Sequence, residues 1–361
     1  MQITRNYTTI DFILLFMVLG YTTFGLLLLA SAAEGNVMMI VKQSFHVALA
    51  IIIAVVINTY SNLQIQRYAF FLYFFAVMLL VTVLVFGHVG KGAQRWLDLK
   101  FVRFEPSEIM KIVLPLTLAS YIQQHELPLR NSIFLQCVGL ILLPFYLIAK
   151  QPDLGTALIT AIIGFFTLFM AGLPIQILSR IIYGLVFTSP ITWHLLHPYQ
   201  QQRILTLLSP KADVAGAGYH IEQAKIAIGA GGVLGKGWFQ GTQSHLQFLP
   251  EHNTDFIFAL CAEEFGFLGC LFLITLCLGI ISRCFILSSS SQDSFTRLAT
   301  AGITFSFGLC SCINIAMVSA LIPVVGIPLP LISYGGTTMV MSMVGFGVIH
   351  ACSRNTKLFT S

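Results

Sequence analysis

Long apolar stretches separated by short polar ones recur along the whole chain. Stretches such as 12–30 and 70–86 are apolar almost continuously, rather than on one face of a helix or at alternate positions. A spanning helix needs about 20 predominantly apolar residues, and the pattern predicts ten such helices. The predicted spans lie near 11–31, 45–60, 68–87, 106–122, 132–149, 154–171, 174–191, 255–284, 296–320 and 334–352.

Two connections between the predicted spans are long and polar, at 88–105 and at about 192–254. The other connections are short, and no stretch of the chain repeats another. We therefore expect residues 1–361 to form a single integral membrane domain. Its large loop, about 192–254, would lie between the seventh and eighth helices.

Composition agrees with this pattern. Of the 361 residues, 57% are hydrophobic and 9% are charged, whereas a soluble domain carries about 25% charged residues. So few charges cannot cover a surface that faces water, which excludes a soluble globular protein. Transmembrane barrels alternate apolar and polar residues in short segments, unlike the stretches found here. The predicted fold class is an all-α polytopic membrane protein.

Lysine and arginine residues predict the orientation, because short cytoplasmic loops carry an excess of them. An even number of spans puts both termini on one side. The cations of that side are Arg5, Arg67, Arg130, Arg180, Arg283, Arg297, Arg354 and Lys357. The short loops of the other side hold only Lys42 and Lys150. We therefore expect cytoplasmic termini and two long extracytoplasmic loops.

The two long loops nevertheless carry many cations of their own. These are Lys91, Arg95, Lys100, Arg103, Arg203, Lys211, Lys225 and Lys236. This local exception to the positive-inside rule favours an anionic ligand on the outer face. A solvated basic loop is the alternative explanation.

A glutamate and a lysine fall inside the fourth predicted span. Pro106 and Ser107 are typical of a helix start, so Glu108 and Lys111 lie one turn apart on one helix face. Ionisable residues within a span are costly and normally face a cavity or a partner. Two interpretations stay open, and both can hold: a polar cavity for a charged head group, or a mutual ion pair that fixes helix packing.

Two aspartates stand where predicted spans begin at the outer face. Asp153 precedes the sixth span and could cap its N-terminus. Asp255 opens the eighth span at the membrane surface, where its carboxylate could accept a proton from the sugar hydroxyl of a lipid-linked substrate. The alternative is again capping, with Thr254 as N-cap and Asp255 in the first turn.

The glycine-rich stretch 229–237 does not fit a nucleotide-binding loop. A Walker loop needs glycine at Ala230 and serine or threonine at Gly237. We interpret the stretch as a turn at the membrane surface, whose backbone N–H groups and Lys236 could bind an anion. The proline-rich stretch 323–330 interrupts helical structure and is expected to line an outer cavity. The histidines of the outer loop show no metal-ligand spacing, so we predict no permanent metal site.

Several of these strings together resemble the SEDS (FtsW/RodA/SpoVE) family of cell-wall polymerases. The segments that carry the resemblance are 90–99, 101–111, 151–157, 199–203, 216–238, 241–244, 255–266 and 326–336. They cover nearly the whole chain in order. The stretch 219–229 is similar to the rod-shape branch of the family rather than to its division branch.

The resemblance implies a ten-helix peptidoglycan glycosyltransferase that polymerises lipid II at the outer face of the plasma membrane during cell elongation. In a Gram-negative bacterium this would be the cell inner membrane. The resemblance also implies an obligate partner, a class B penicillin-binding protein with transpeptidase activity. Other elongation-complex proteins would join them, and no nucleic acid is implied.

The family's motifs imply roles for individual residues. The aspartate of the Thr-Asp-Phe string is the proposed catalytic residue, which here is Asp255. The Pro-Ser-Glu-x-x-Lys string places Glu108 and Lys111 in the central cavity, where they would contact the substrate. The aspartate of the Gln-Pro-Asp string is Asp153.

The chain departs from the family's usual residues at three positions. Lys100 stands where relatives usually have glycine, and Glu105 where they usually have glutamine. Asn253 takes the place of a histidine often found before the threonine, with His252 one position earlier. Whether His252 or Asn253 assists the base stays open.

The implied mechanism is an inverting glycosyl transfer. The 4-hydroxyl of the acceptor lipid II attacks the anomeric carbon of the growing strand, and undecaprenyl pyrophosphate leaves. Asp255 would take the hydroxyl proton, while Arg203 and Lys111 are the first candidates to bind the pyrophosphate. A Mg²⁺ or Mn²⁺ ion could bridge the pyrophosphate, although the sequence shows no set of ligands for such an ion.

Two rival functions stay open. A polar cavity among ten helices would also suit a lipid II flippase, which moves its substrate without forming a product. A membrane scaffold for cell-wall enzymes is the other rival, and in a scaffold Asp255 and Glu108 would be dispensable.

Overall fold

Helices make up most of the chain. A computed structural model describes residues 11–90, 93–98, 103–126, 130–196, 198–209, 217–245 and 253–354. The helices within these ranges are α1 (Phe12–Ala32), α2 (Val37–Asn58), α3 (Asn62–Phe86), α4 (Pro106–Ile122), α5 (Asn131–Lys150), α6 (Leu154–Met170), α7 (Ile175–Leu195), α8 (Pro198–Leu208), α9 (Ala217–Gly231), α10 (Thr242–His245), α11 (Ile257–Ser289), α12 (Ser294–Val318) and α13 (Gly336–Ser353). The strands are β1 (His88–Gly90), β2 (Ala93–Asp98) and β3 (Arg103–Phe104).

Each of the ten predicted spans coincides with a helix, namely α1–α7 and α11–α13. Eight of these helices are long and apolar enough to cross a membrane. The other two, α4 and α6, have 17 residues each. A helix of that length is about 26 Å long, near the lower limit for a span. The prediction of an all-α polytopic membrane protein is confirmed.

Contacts between distant segments identify the two ends of the bundle. At one end, the Asp11 N–H donates to His350 Nε2 at 2.9 Å, so the start of α1 lies beside the last turn of α13. This is the arrangement expected of an even number of spans. At the other end, Arg95 of β2 pairs with Asp153 at the start of α6. We call this second end the outer end, following the orientation that the loop charges predict.

Two spans begin earlier than hydropathy predicted. α2 begins at Val37 rather than near 45, and α3 begins at Asn62 rather than near 68. Polar residues at 42–44 in α2 and at 62, 64, 66 and 67 in α3 lower the hydropathy of the windows that contain these helix starts. Both starts are stabilised by caps, because Asn36 caps α2 and Ser61 forms a capping box with Gln64 at α3.

Both long connections contain regular structure that hydropathy did not predict. β1, β2 and β3 form an antiparallel sheet in that order. α8, α9 and α10 lie between α7 and α11, and α9 packs along α11. These helices are too polar for a hydropathy window to detect. They hold the connection between α7 and α11, which we call the outer segment, against the bundle.

α4 lies in the interior of the bundle. Of its 17 residues, 15 are buried, and the helix packs against α3, α6 and α12. A Cβ on Gly302 of α12 would lie 2.5 Å from Pro115 Cβ, so glycine lets these two helices approach closely. Because protein rather than lipid surrounds α4, the helix can carry ionisable side chains.

α11 is broken near its outer end. Gly266 has a φ of 64° and a ψ of −159°, and the turn 232–237 packs into the break. Two consecutive N–H groups of that turn, at 236 and 237, donate to the carbonyls of Glu263 and Glu264, each at 3.0 Å. A side chain at Gly266 would collide with the backbone of the turn.

The orientation can be tested by cysteine labelling. Gln240 lies in the outer segment and Gln292 in the short connection between α11 and α12, and both are exposed. An impermeant maleimide added to intact spheroplasts is expected to label Gln240→Cys, and to label Gln292→Cys only after permeabilisation. The unsubstituted chain with its eight cysteines sets the background. The reverse labelling would place Asp255 on the cytoplasmic side and contradict the predicted orientation.

Candidate active site

Asp255 and Arg203 approach the same loop at the outer end. Asp255 Oδ2 lies 3.4 Å from the position that a Cβ would take on Gly326. Arg203, on α8, donates from Nη1 to the carbonyl of Val325 at 3.3 Å. The two side chains therefore meet the loop at adjacent residues. The negative charge of the Asp255 carboxylate raises the pKa of the Arg203 guanidinium.

Asp255 precedes α11 instead of lying in its first turn. The N-cap of α11 is Phe256 and the helix begins at Ile257, so the expected N-cap role of Thr254 is wrong. The Thr254 carbonyl instead accepts a hydrogen bond from Ser333 Oγ at 2.6 Å. The turn 253–255 is thus held by tertiary contacts, and this turn directs the Asp255 carboxylate to the loop at Gly326.

Asp153 both caps α6 and forms an ion pair. Its Oδ1 accepts a hydrogen bond from the Thr156 N–H at 3.3 Å, as the capping interpretation predicted. Its Oδ2 lies 3.1 Å from Arg95 Nε, with only 3% of the Asp153 side chain exposed. The Tyr199 hydroxyl donates to the Pro152 carbonyl at 2.6 Å, which ties α8 to the same corner.

Arg95, Asp153, Arg203 and Asp255 thus form one group, which we call the outer charge cluster. Burial lowers the pKa of the Arg203 guanidinium, and the positive charge of Arg95 lowers it further, while Asp153 and Asp255 oppose this effect. Burial and the nearby Arg95 both disfavour the charged form of Arg203, so an additional anion beside it would stabilise that form. The cluster therefore combines a carboxylate that could accept a proton with a guanidinium suited to an anionic group.

Glu108 and Lys111 form a buried ion pair. Lys111 Nζ lies 2.6 Å from Glu108 Oε1, and each residue is 6% exposed. The pair lines a cavity of about 40 Å³ together with Ser306, Cys310 and Thr338. That volume holds about one or two water molecules, whereas ligand pockets measure about 300–1,000 Å³. In this conformation the structure shows the mutual ion pair, and the cavity beside it is too small for a head group.

Glu105, one of the departures from the family's usual residues, lies between the outer charge cluster and the Glu108–Lys111 pair. It is the N-cap of α4, yet its side chain makes no capping hydrogen bond. Ser107 Oγ donates to Glu105 Oε1 at 2.8 Å. Burial, followed by the charges of Glu108 and Asp153, raises the pKa of Glu105 to about 8. The raised pKa favours the protonated form of this carboxyl group, which limits the negative charge beside the cluster.

Lys236 does not belong to the outer charge cluster, because its side chain pairs with Glu263. Its Nζ lies 2.7 Å from Oε1 of Glu263, a carboxylate that is fully buried and also accepts from Thr242 Oγ1 at 3.1 Å. These contacts run to α10 and α11 rather than to the outer charge cluster. The prediction that the backbone of this turn binds an anion is wrong at residues 236 and 237, because their N–H groups donate to carbonyls of α11.

Assistance of the base by His252 or Asn253 stays a prediction. His252 lies outside the described residues. The Asn253 carbonyl accepts a hydrogen bond from the Tyr334 N–H at 2.9 Å. In the part of the chain that the structure describes, no three His, Cys, Asp or Glu side chains are grouped as metal ligands.

Comparison with known proteins places this arrangement in a family. The model of the FtsW/RodA/SpoVE family, described as "Cell cycle protein", matches residues 7–358. The chain belongs to this family. The peptidoglycan glycosyltransferase MrdB of Escherichia coli K12 is 41% identical over 354 residues, which cover 97% of this chain and 95% of that relative.

Solved structures of the family share the fold. A chain of a peptidoglycan synthase complex, studied for its coordination of polymerization and crosslinking, superposes with a TM-score of 0.86 at 29% identity, covering 98% of this chain and 100% of that one. The rod shape determining protein RodA of Thermus thermophilus gives a TM-score of 0.75 at 27% identity, covering 98% of this chain and 99% of that one. This member of the FtsW/RodA/SpoVE family is a multi-pass membrane protein.

Proposed function

We propose that this chain is a peptidoglycan glycosyltransferase that polymerises lipid II into glycan strands during cell elongation. The reaction would take place at the outer face of the plasma membrane, which is the inner membrane if the cell is Gram-negative. The observation that carries the proposal is the approach of Asp255 and Arg203 to one outer loop. Nearly full-length similarity to a peptidoglycan glycosyltransferase supports the same activity.

Asp255 is the proposed general base. Its carboxylate would accept the proton of the acceptor's 4-hydroxyl as that oxygen attacks the anomeric carbon of the growing strand. The bond from that carbon to the pyrophosphate breaks, and undecaprenyl pyrophosphate leaves with the electron pair. A carboxylate at the membrane surface can reach a sugar whose lipid stays in the bilayer, which supports this role.

Arg203 is the proposed group that binds the pyrophosphate, with Asp153 and Arg95 setting its surroundings. A guanidinium presents several donors in fixed geometry and suits phosphate oxygens. Developing negative charge on the leaving group would be stabilised most where the donors are already in place. A Mg²⁺ or Mn²⁺ ion carried by the pyrophosphate would add to this, held by substrate oxygens.

Lys111 and Glu108 enter the proposal only if the bundle opens. Their cavity of about 40 Å³ must widen before a charged head group can reach Lys111. Lys236 has the weakest support as a substrate-binding residue, because Glu263 holds its ammonium group. The proposed partner is a class B penicillin-binding protein, whose transpeptidase would cross-link the strands next to other elongation-complex proteins.

A reconstituted assay tests the proposal. The purified chain and its penicillin-binding partner are supplied with lipid II in detergent, while a β-lactam inhibits the transpeptidase. Glycan strands are expected with the complex and not with the partner alone. Absence of strands would overturn the proposal. Transport of lipid II across proteoliposomes without strand formation would identify a flippase instead.

A further inference from the structure

The turn that carries Asp255 is held from outside its own segment. Three successive carbonyls, those of residues 253–255, each accept a hydrogen bond from a distant part of the chain. The donors are the Tyr334 N–H, Ser333 Oγ and Asn314 Nδ2, at 2.9, 2.6 and 2.9 Å. The first two come from the segment before α13, and the third comes from α12.

Asn314 differs from the other two donors because it reaches a second segment. Its Nδ2 also donates to the carbonyl of Ile327 at 2.7 Å. An amide nitrogen has two N–H donors, so both are used. Asn314 is fully buried, and no water competes for these bonds. One side chain therefore ties the backbone of Asp255 to the loop at Ile327.

The loop at 325–327 is the same one that Arg203 and the Asp255 carboxylate approach. Arg203 binds the carbonyl of Val325, and Asp255 Oδ2 lies against Gly326. Gly326 has a φ of 81°, a conformation that favours glycine, so this residue type fixes the path of the loop beside the carboxylate. Loss of the Asn314 bonds would remove the direct link between Asp255 and the loop at Ile327, leaving the bonds made by residues 333 and 334. The distance between carboxylate and guanidinium would then be held less tightly.

We propose that Asn314 is a positioning residue for the glycosyl transfer, which holds the Asp255 carboxylate at its working distance from the Arg203 guanidinium. The inference rests on the proposed function. A nearby cation stabilises the ionised form of a carboxylate. If the two groups separate, the guanidinium no longer stabilises the ionised carboxylate, and the base and the anion-binding group no longer act on one substrate together.

Steady-state kinetics of strand formation test this role. Asn314→Leu removes both donors at similar volume, and Asn314→Ser leaves a hydroxyl too short to reach both carbonyls. Misplacement of a reacting group by about 1 Å can cost about 100-fold in rate. Both variants are therefore expected to lose about tenfold to 100-fold in kcat, with the KM for lipid II little changed. The acid limb of the kcat–pH profile should move to higher pH, because a nearby cation favours the ionised carboxylate.

The matched control is Thr304→Val, also on α12. Thr304 is buried, and its Oγ1 donates to the carbonyl of Thr300 at 2.7 Å, within the same helix and away from the turn at 253–255. This variant is expected to keep the kcat and the pH profile of the unsubstituted protein. Combining Asn314→Leu with Arg203→Gln should give a loss smaller than the product of the two single losses, because both act on one arrangement.

Three results would overturn the inference. The first is that the Asn314 variants lower only the thermal midpoint, with kcat and pH profile as in Thr304→Val. The second is that their losses in kcat multiply fully with that of Arg203→Gln. The third is that neither variant can be recovered as folded protein, which would make Asn314 a residue of the fold alone. Inactivity of the unsubstituted complex would instead refute the proposed function, so the two failures are distinguishable.

Discussion

Replacing Asp255 by asparagine is expected to leave the protein folded while polymerisation falls by a factor of about 100 or more. Asparagine has the size of aspartate but cannot take a proton, and general-base catalysis contributes about 10²–10⁴-fold. The turn should persist, because Asn314 binds the backbone carbonyl of residue 255 rather than its side chain. The measurement is glycan strand yield per mole of monodisperse complex.

The control for this experiment is Asp98→Asn, the same chemical change on β2. The Asp98 side chain is 43% exposed and lies 3.7 Å from Arg103, and exposed ion pairs contribute about 0–1 kcal/mol. Its activity should equal that of the unsubstituted complex. If Asp255→Asn retained activity within a few-fold of that level, Asp255 would not be the base, and Asp153 would be the next candidate in the outer charge cluster.

Replacing Lys111 by methionine is expected to lower the amount of protein in the membrane and to abolish strand formation. Glu108 would then lie in the bundle without its cation, and breaking a buried ion pair costs about 3–5 kcal/mol. A second substitution, Glu108→Gln, removes the stranded charge and should restore much of the protein level. The measurements are the amount of protein in the membrane fraction and strand yield per mole recovered.

The chain offers a matched control for this prediction. Lys225 and Glu222 on α9 have the same three-residue spacing, but their side chains are 47% and 41% exposed and 3.8 Å apart. Lys225→Met should leave the protein level unchanged, because water replaces the lost partner. If the double variant regained protein but not activity, the pair would have a role in the reaction beyond packing. A normal level and normal activity for Lys111→Met would contradict both roles.

The spans could be predicted from sequence because each is a nearly continuous apolar stretch. Hydropathy failed where a helix contains polar residues. Polar residues at 42–44 interrupt α2 and others open α3, and α8, α9 and α10 lie outside the apolar bundle. Hydropathy responds to partition into lipid, so it cannot detect helices that pack on a protein surface.

The site was predictable in its chemistry and less so in its connections. Asp255, Asp153 and Arg203 could be named from residue type and from the family's motifs, and the structure brings them together. Asn314 could not be identified in this way. It is one polar residue in an apolar span, and its partners lie 59 and 13 positions away in the sequence. Such a role becomes visible only when the fold brings those backbone segments together.

The enclosure of α4 has a consequence for the way this protein is made. α4 is not one of the eight helices apolar enough to cross a membrane by their composition. Ionisable residues within a span raise the free energy of its insertion into the bilayer. Part of the wall around Glu108 and Lys111 comes from Ser306 and Cys310 of α12, which the ribosome reaches much later. A chain that stops before α12 therefore leaves this charged pair without part of its protein surroundings.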